Sequence, residues 1–243
     1  MKNGQCRLRR RFDTLSDIVN DDIDNLPRFD SEGAGLRCKT QPLFFAGWVL
    51  MKTFVYVDAF NLYYGCVKGT AYKWLNIARL CALMLPQHRI ERIKYFTARI
   101  SSRAHDPEAS RRQQTYLRAL QTIPNLEIFY GHFLTHPVQM RLADPQPGQT
   151  AFVWVIKTDE KGSDVNLATQ LLSDAYNRRF ECAVIISGDS DLLAPVQVVM
   201  NELKLPVGVL NPQKRPCRVL AAQATFNKHI RDGVLAAFSS RPS

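Results

Sequence analysis

Thr53-Phe54-Val55-Tyr56-Val57-Asp58-Ala59-Phe60-Asn61 is the stretch on which the fold turns. Thr53–Val57 is apolar and β-branched, with no charge to mark a solvent face. That predicts a strand buried on both sides. Such a strand belongs in a parallel sheet covered by helices, and open sheets of this kind bind ligands at the carboxyl ends of their strands. Asp58 and Asn61 follow the strand at once, so they fall where chemistry is expected.

Working downstream, strand and helix signals alternate. Trp74–Leu85 is apolar at Leu75, Ala78, Ala82 and Leu85, close to helical spacing, and Pro86 ends it. Ile93–Ala98 reads as a second strand. Asp106-Pro107 reads as the start of a helix through Leu120, with Asp106 at the N-cap and Pro107 at the first position. Leu126–Leu134 reads as a third strand. Thr135–Gln149 holds three prolines and a glycine and reads as a loop or irregular insert. Ala151–Ile156 is a further strand, Ser163–Asn177 a helix, Ala183–Ser187 a strand, Ala194–Leu203 a helix and Pro206–Leu210 a strand. Leu220–Phe238 reads as a closing helix. The alternation predicts an α/β fold with a parallel sheet covered on both faces.

Upstream, residues 1–50 differ in character. They carry Arg9-Arg10-Arg11, an acidic run with Asp21, Asp22 and Asp24, and no lasting apolar period. Met51-Lys52 then precedes the strand directly. The expectation is a loosely ordered extension over residues 1–50, with Met51 as a candidate native start, and one domain over residues 51–243. An arginine-bearing functional tail is the rival reading. The whole chain of 243 residues carries a formal charge of +10, and residues 51–243 hold 24 basic against 15 acidic side chains. Such a surface favours polyanions: nucleic acid or an anionic membrane.

Other classes are excluded or weakened. The longest apolar stretch, Pro42–Leu50, is far short of the roughly 20 residues that span a bilayer. The six cysteines, at 6, 38, 66, 81, 182 and 217, include no CxxC pair, which argues against a zinc site or disulfide framework and for reduced cytosolic thiols. A Walker A loop and a GxGxxG fingerprint are both absent.

Acidic residues gather at strand ends and helix starts: Asp58, the segment Lys157-Thr-Asp159-Glu160-Lys161-Gly-Ser-Asp164, and Ser187-Gly-Asp189-Ser-Asp191. A lone Asp there is usually a helix cap. Four acids on one sheet edge, Asp58, Asp164, Asp189 and Asp191, repel one another, and a divalent cation removes that repulsion. All-oxygen donors suit Mg²⁺ or Mn²⁺. Asp174 lies ten residues past Asp164, about 15 Å further along a helix, and should miss such a site. Asp159 and Glu160 read as solvated loop charges before outer ligands.

At these residues the chain resembles a known family. Val57-Asp58-Ala-Phe-Asn61-Leu, Asp159-Glu-Lys161-Gly-Ser-Asp164-Val165 and Ser187-Gly-Asp189-Ser-Asp191-Leu resemble, in order, the three hallmark blocks of the NYN domain. That is a branch of the PIN-like nuclease superfamily, and the similarity is greatest to its LabA-like members. It runs from about Met51 to about Leu210, with Gln114, Tyr116 and Leu117 also familial in look. The resemblance implies a Rossmann-like three-layer α/β/α sandwich and a metal-dependent ribonuclease. It implies Asp58, Asp164, Asp189 and Asp191 as carboxylates for one or two Mg²⁺ or Mn²⁺ ions, with Asn61 their polar partner. It also implies products with a 5′-phosphate and a 3′-hydroxyl. Ser163 stands where a small apolar residue is usual, Leu192 where an aromatic is common, and Ala224-Thr225-Phe226 lacks an acid often seen there.

The expected reaction is endonucleolytic hydrolysis of single-stranded RNA. Arg89, Arg92, Lys94, Arg99, Arg103, Arg111, Arg112 and Arg118 form a basic band between the second strand and second helix. Arg99, Arg103, Arg111, Arg112 and Lys161 are the candidate phosphate contacts. Tyr63 and Tyr64 are candidates to stack on unpaired bases. Solvated charge and core tyrosine are the bland readings of the same residues. No membrane is implied, the expected compartment is the cytoplasm, and a homodimer stays open. Two other functions compete: an RNA-binding or scaffold domain with little or no turnover, and another Mg²⁺ phosphoryl enzyme. The Asp58-Ala-Phe segment lacks the DxD of common aspartyl-phosphatases.

Overall fold

A computed structural model describes residues 50–102, 106–145, 150–214 and 218–236. The readings for residues 1–49, Arg103, Cys6, Cys38 and Cys217 lie outside the described residues. Seven strands form one sheet: β1 (Met51–Asp58), β2 (His88–Ala98), β3 (Leu126–Arg141), β4 (Phe152–Lys161), β5 (Cys182–Ile186), β6 (Val207–Asn211) and β7 (Phe226–His229). The order is β4-β3-β2-β1-β5-β6-β7. Every neighbouring pair is parallel except β3–β4, which is antiparallel. The helices are α1 (Ala59–Leu62), α2 (Ile77–Met84), α3 (Ala109–Gln121), α4 (Ser163–Tyr176), α5 (Leu193–Gln197), α6 (Arg218–Gln223) and α7 (Asp232–Ala236). A π-helical turn, Tyr63–Val67, extends α1, and another, Val198–Glu202, extends α5.

Period-two alternation along β1 divides the core. Val55 and Val57 join one apolar cluster with Ile77, Leu80 and Cys81 of α2 and with Leu117 and Leu120 of α3. Phe54 and Tyr56 join a second with Leu167 and Leu171 of α4 and Val196 of α5. Two cores on opposite faces of one sheet make the three-layer α/β/α sandwich that the sequence implies. The chain builds β1, β2 and β3 toward one edge, then returns to the other side of β1 with β5. The crevice between the carboxyl ends of β1 and β5 is therefore the topological switch point.

Four expectations are corrected. Thr135–Arg141, the first part of the expected irregular insert, is strand, since β3 continues to Arg141 and pairs with β4 as a ribbon from His132↔Lys161 to Arg141↔Phe152. Pro137 is tolerated because beyond Gly131 the strand has a neighbour on one side only. Asp159 and Glu160 are accordingly strand residues of β4. Leu220–Phe238 is not one helix: Phe226–His229 forms β7 on the edge of β6, with the Phe226 ring lying over Gly208, where a Cβ would collide with it. Asp106 does not cap α3, which starts at Ala109 after Glu108; its carboxylate binds the Arg112 guanidinium instead.

Lys94 is likewise not part of a basic surface. It is 5% exposed, and its Nζ reaches Asp174 at 2.6 Å and Gln170 at 2.7 Å. Asp174 also accepts from the Tyr56 hydroxyl at 2.7 Å and from Arg179 at 3.1 Å. Asp174 thus serves the core, as its distance along α4 from Asp164 led one to expect. Cys66, Cys81 and Cys182 are free, buried thiols whose burial pushes them up to about 11 or 12. Among the described residues no helix is long and apolar enough to cross a membrane. Removing one partner of a buried ion pair strands the other, so Lys94→Met should lower stability by about 3 kcal/mol. Urea unfolding checks this, and a loss below about 1 kcal/mol would show that Arg179 and Tyr56 suffice for Asp174.

Candidate active site at the switch point

Asp58 ends β1 and caps α1. Its Oδ1 accepts the Asn61 amide at 2.9 Å, and its Oδ2 accepts the Ser187 hydroxyl at 3.0 Å. Ser187 Oγ in turn accepts the Asp189 amide at 3.1 Å, and Asp189 Oδ1 accepts the Asp191 amide at 3.0 Å. Asn61 Oδ1 accepts both the Gly188 amide at 2.9 Å and Gln213 Nε2 at 3.0 Å. The ends of β1, β5 and β6 are thus stitched together across the crevice by side chains that stop short of forming a sheet there. A Cβ at Gly188 would come within 2.8 Å of Gln213 Cδ, so any larger residue there would push the Gln213 side chain from its place beside Asn61.

Asp164 arrives from the other side, in the first turn of α4. The turn that launches α4 is set by Gly162, which has φ 94°, a conformation that favours glycine. Glu160 then holds the helix start: its two oxygens accept Ser163 N at 3.1 Å and Ser163 Oγ at 2.8 Å. Gly131 lets this turn lie against β3, because a Cβ there would meet Glu160, Lys161 and Ser163.

The electrostatics are unbalanced. Asp58 is buried, with 5% exposure, and burial pushes it up to about 6 from an ordinary 3.8. The charges of Asp164 and Asp189 add to that rise, and the hydrogen bonds from Asn61 and Ser187 hold it partly back. Asp164 is raised by burial first, then by the charges of Asp189, Glu160 and Asp191. Among the described residues none of Asp58, Asp164, Asp189 and Asp191 is ion-paired with a Lys, Arg or His. Also among the described residues, no three His, Cys, Asp or Glu side chains close into a ready cage for a metal. The donor chemistry still fits a hard cation: Mg²⁺ keeps several of its waters and is usually held by one or two carboxylates and substrate phosphate.

Asn61 and the four aspartates, all singled out from the sequence, are thus brought to one edge. Tyr63 and Tyr64 lie on the π-turn after α1, 39% and 62% exposed, and their rings meet edge-on at 5.3 Å. Arg99 follows the end of β2 with its guanidinium 5.0 Å from the Tyr130 ring centre. Lys161 closes β4 opposite His132. Arg111 and Arg112 sit exposed on α3, paired with Glu108 and Asp106. Ser187, Glu160 and Gln213 were not singled out as site residues. Ser187 stood inside the quoted third block, and Gln213 follows a strand end, but only the folded crevice shows whom they bind.

A profile of the NYN domain family matches residues 52–229. A relative named 6-hydroxy-3-succinoylpyridine 3-monooxygenase HspA, from Pseudomonas putida (strain DSM 28022 / S16), is 32% identical over 217 residues, covering 77% of this chain and 69% of that protein. The crystal structure of a protein of unknown function from Vibrio parahaemolyticus superposes with TM-score 0.47 and 17% identity, over 75% of this chain and 94% of that chain.

Asp58 carries a linkage consequence. Its folded pKa lies above its unfolded value, so folding loses stability as pH rises from about 4 through about 6 and stays weaker above that. In EDTA, Asp58→Asn should therefore be more stable than wild type at pH 8, by up to about 3 kcal/mol, and lose that advantage below pH 4. Urea midpoints at the two pH values test this; equal midpoints at pH 8 would show that the carboxylate is not strained.

Proposed function

This chain belongs to the NYN domain family, which points to a nuclease-like function, and from that footing we propose that it is a metal-dependent endoribonuclease of the LabA-like kind acting on single-stranded RNA. One observation carries the reading. Carboxylates with no cationic partner among the described residues converge on the switch-point crevice, where Asp58 is buried and held in place by Asn61 and Ser187. A surface built only to bind RNA gains nothing from such anions, and that weighs against a scaffold role.

Asp58, Asp164, Asp189 and Asp191 are the residues that would hold one or two Mg²⁺ or Mn²⁺ ions. When bound, a divalent ion supplies an acidified water and neutralises phosphate charge. The chain's own groups do the positioning. Ser187 fixes the Asp58 carboxylate, and Asn61, tied to Gly188 and Gln213, offers its remaining amide hydrogens to a phosphate oxygen or to water. The cytoplasm, where reduced thiols persist, is the proposed setting.

A second reading comes with the 32% identical relative, whose name is that of a monooxygenase. In it, the open cleft of ≈ 430 Å³ beside Asn61, lined by Phe60, Tyr64 and Gln213, would take a small hydroxylated pyridine instead of a nucleotide. Incubation with short single-stranded RNA and Mn²⁺ or Mg²⁺ separates the two. The ribonuclease reading expects cleavage by the wild type and a loss of about a hundredfold or more in Asp58→Asn and Asp189→Asn. No cleavage, or equal cleavage by the variants, defeats it. Dioxygen uptake with 6-hydroxy-3-succinoylpyridine and a supplied reductant, in a chain that leaves RNA intact, installs the second.

A further inference from the structure

Beyond Asn61 the carboxyl edge of the sheet carries a second feature. The cleft beside Asn61 is walled on its far side by Gly65 and Lys214. The same two residues line a second opening of ≈ 490 Å³ that continues to Lys68, His229, Arg231 and Asp232. The two are one trough, running from the end of β1 past the ends of β6 and β7. Gly65 keeps its floor low, since a Cβ there would stand 3.0 Å from the Pro212 carbonyl.

The trough is electropositive. Lys68, Lys214 and Arg231 are exposed, and among the described residues none is ion-paired with a carboxylate. Lys68 lies 4.8 Å from the centre of the Tyr64 ring, so a cation and an exposed aromatic sit side by side. Asp232 is the single carboxylate of the lining, which leaves a surplus of positive charge. His229, half-buried, lines the trough between Lys214 and Arg231. Most of the described basic band between β2 and α3 contrasts with this. Arg89, Arg92, Arg111 and Arg112 are all paired with acids, and Lys94 is buried.

We propose that this trough is a phosphodiester-binding track that seats the single strand flanking the reacting phosphate. Lys214 takes the phosphate nearest Asn61, Lys68 and Arg231 take those beyond it, and the Tyr64 ring supports a base. The assignment rests on the ribonuclease reading for its substrate, but its test reads binding alone.

The test is fluorescence anisotropy of the full chain with a labelled single-stranded RNA of about ten nucleotides, in EDTA, over a salt series. The triple variant Lys68→Gln/Lys214→Gln/Arg231→Gln is compared with a charge-matched triple, Arg89→Gln/Arg178→Gln/Lys204→Gln, placed at the opposite, amino edge of the sheet. Each phosphate contact contributes about 0.7 to the slope of log affinity against log salt. The trough triple should therefore flatten the slope by about 2 and weaken binding about a hundredfold at 0.1 M salt, while the control triple stays near wild type. Thermal melts confirm that both variants fold. An unchanged slope in the trough triple, equal losses in the two triples, or no binding by the wild type overturns the track. Failure of the cleavage assay with a flattened slope removes the hydrolysis and keeps the track; cleavage with an unflattened slope does the reverse.

Discussion

A carboxylate buried at the mouth of two parallel strands is the constraint around which this edge is arranged. Asp58 cannot leave the crevice, because β1 delivers it there as the last residue of a strand buried from Thr53 onward. Among the described residues its charge is compensated only by the Asn61 amide and the Ser187 hydroxyl. Those two bonds in turn fix the loop after β5, because Ser187 also holds Asp189, and Asn61 holds Gly188 and Gln213. The strained charge and the shape of the site are one arrangement.

Lys94 and Asp174 show what the same fold does when charge is structural. Asp174 is wholly buried, yet Lys94, Tyr56 and Arg179 all reach it, so the charge is neutralised where it lies. Around Asp58 the neighbours are Asp164, Asp189 and hydrogen-bond donors without charge. Both acids sit within one small domain and share its solvent, so their different treatment reflects position. The face of α4 stores a closed network against the sheet, and the strand ends hold an open one.

The legible part of this was what local chemistry dictates. An uncharged β-branched run announced β1, and acids following strand ends announced Asp58, Asp189 and Asp191. The fold class followed from alternation alone. What stayed hidden depends on residues far apart in sequence. The outer part of β3, Thr135–Arg141, read as the start of a loop because Pro137 and the prolines after it normally break strands, and only the lack of a second neighbour past Gly131 makes Pro137 harmless. Phe226–His229 read as helix because the need to cover the β6 edge is a tertiary fact. Glu160 read as a solvated acid because its role at the start of α4 exists only when Gly131 and Gly162 bring the turn onto the sheet.

The distribution of cations follows the same logic. Counted along the chain, the arginines between β2 and α3 were the natural partners for a polyanion. In the fold most of them meet acids of their own surface, Glu91, Glu127, Glu108 and Asp106, so their charge is largely spent locally. Lys68, Lys214 and Arg231 are scattered in sequence and gather only because the ends of β6 and β7 come round to the π-turn after α1. A net charge therefore says that a chain prefers anions, and pairing decides where it can hold them. On this sheet Lys68, Lys214 and Arg231 share the carboxyl edge with Asp58, Asp164, Asp189 and Asp191, which is the arrangement a cleft needs if it is to grip a phosphate chain beside carboxylates that repel it.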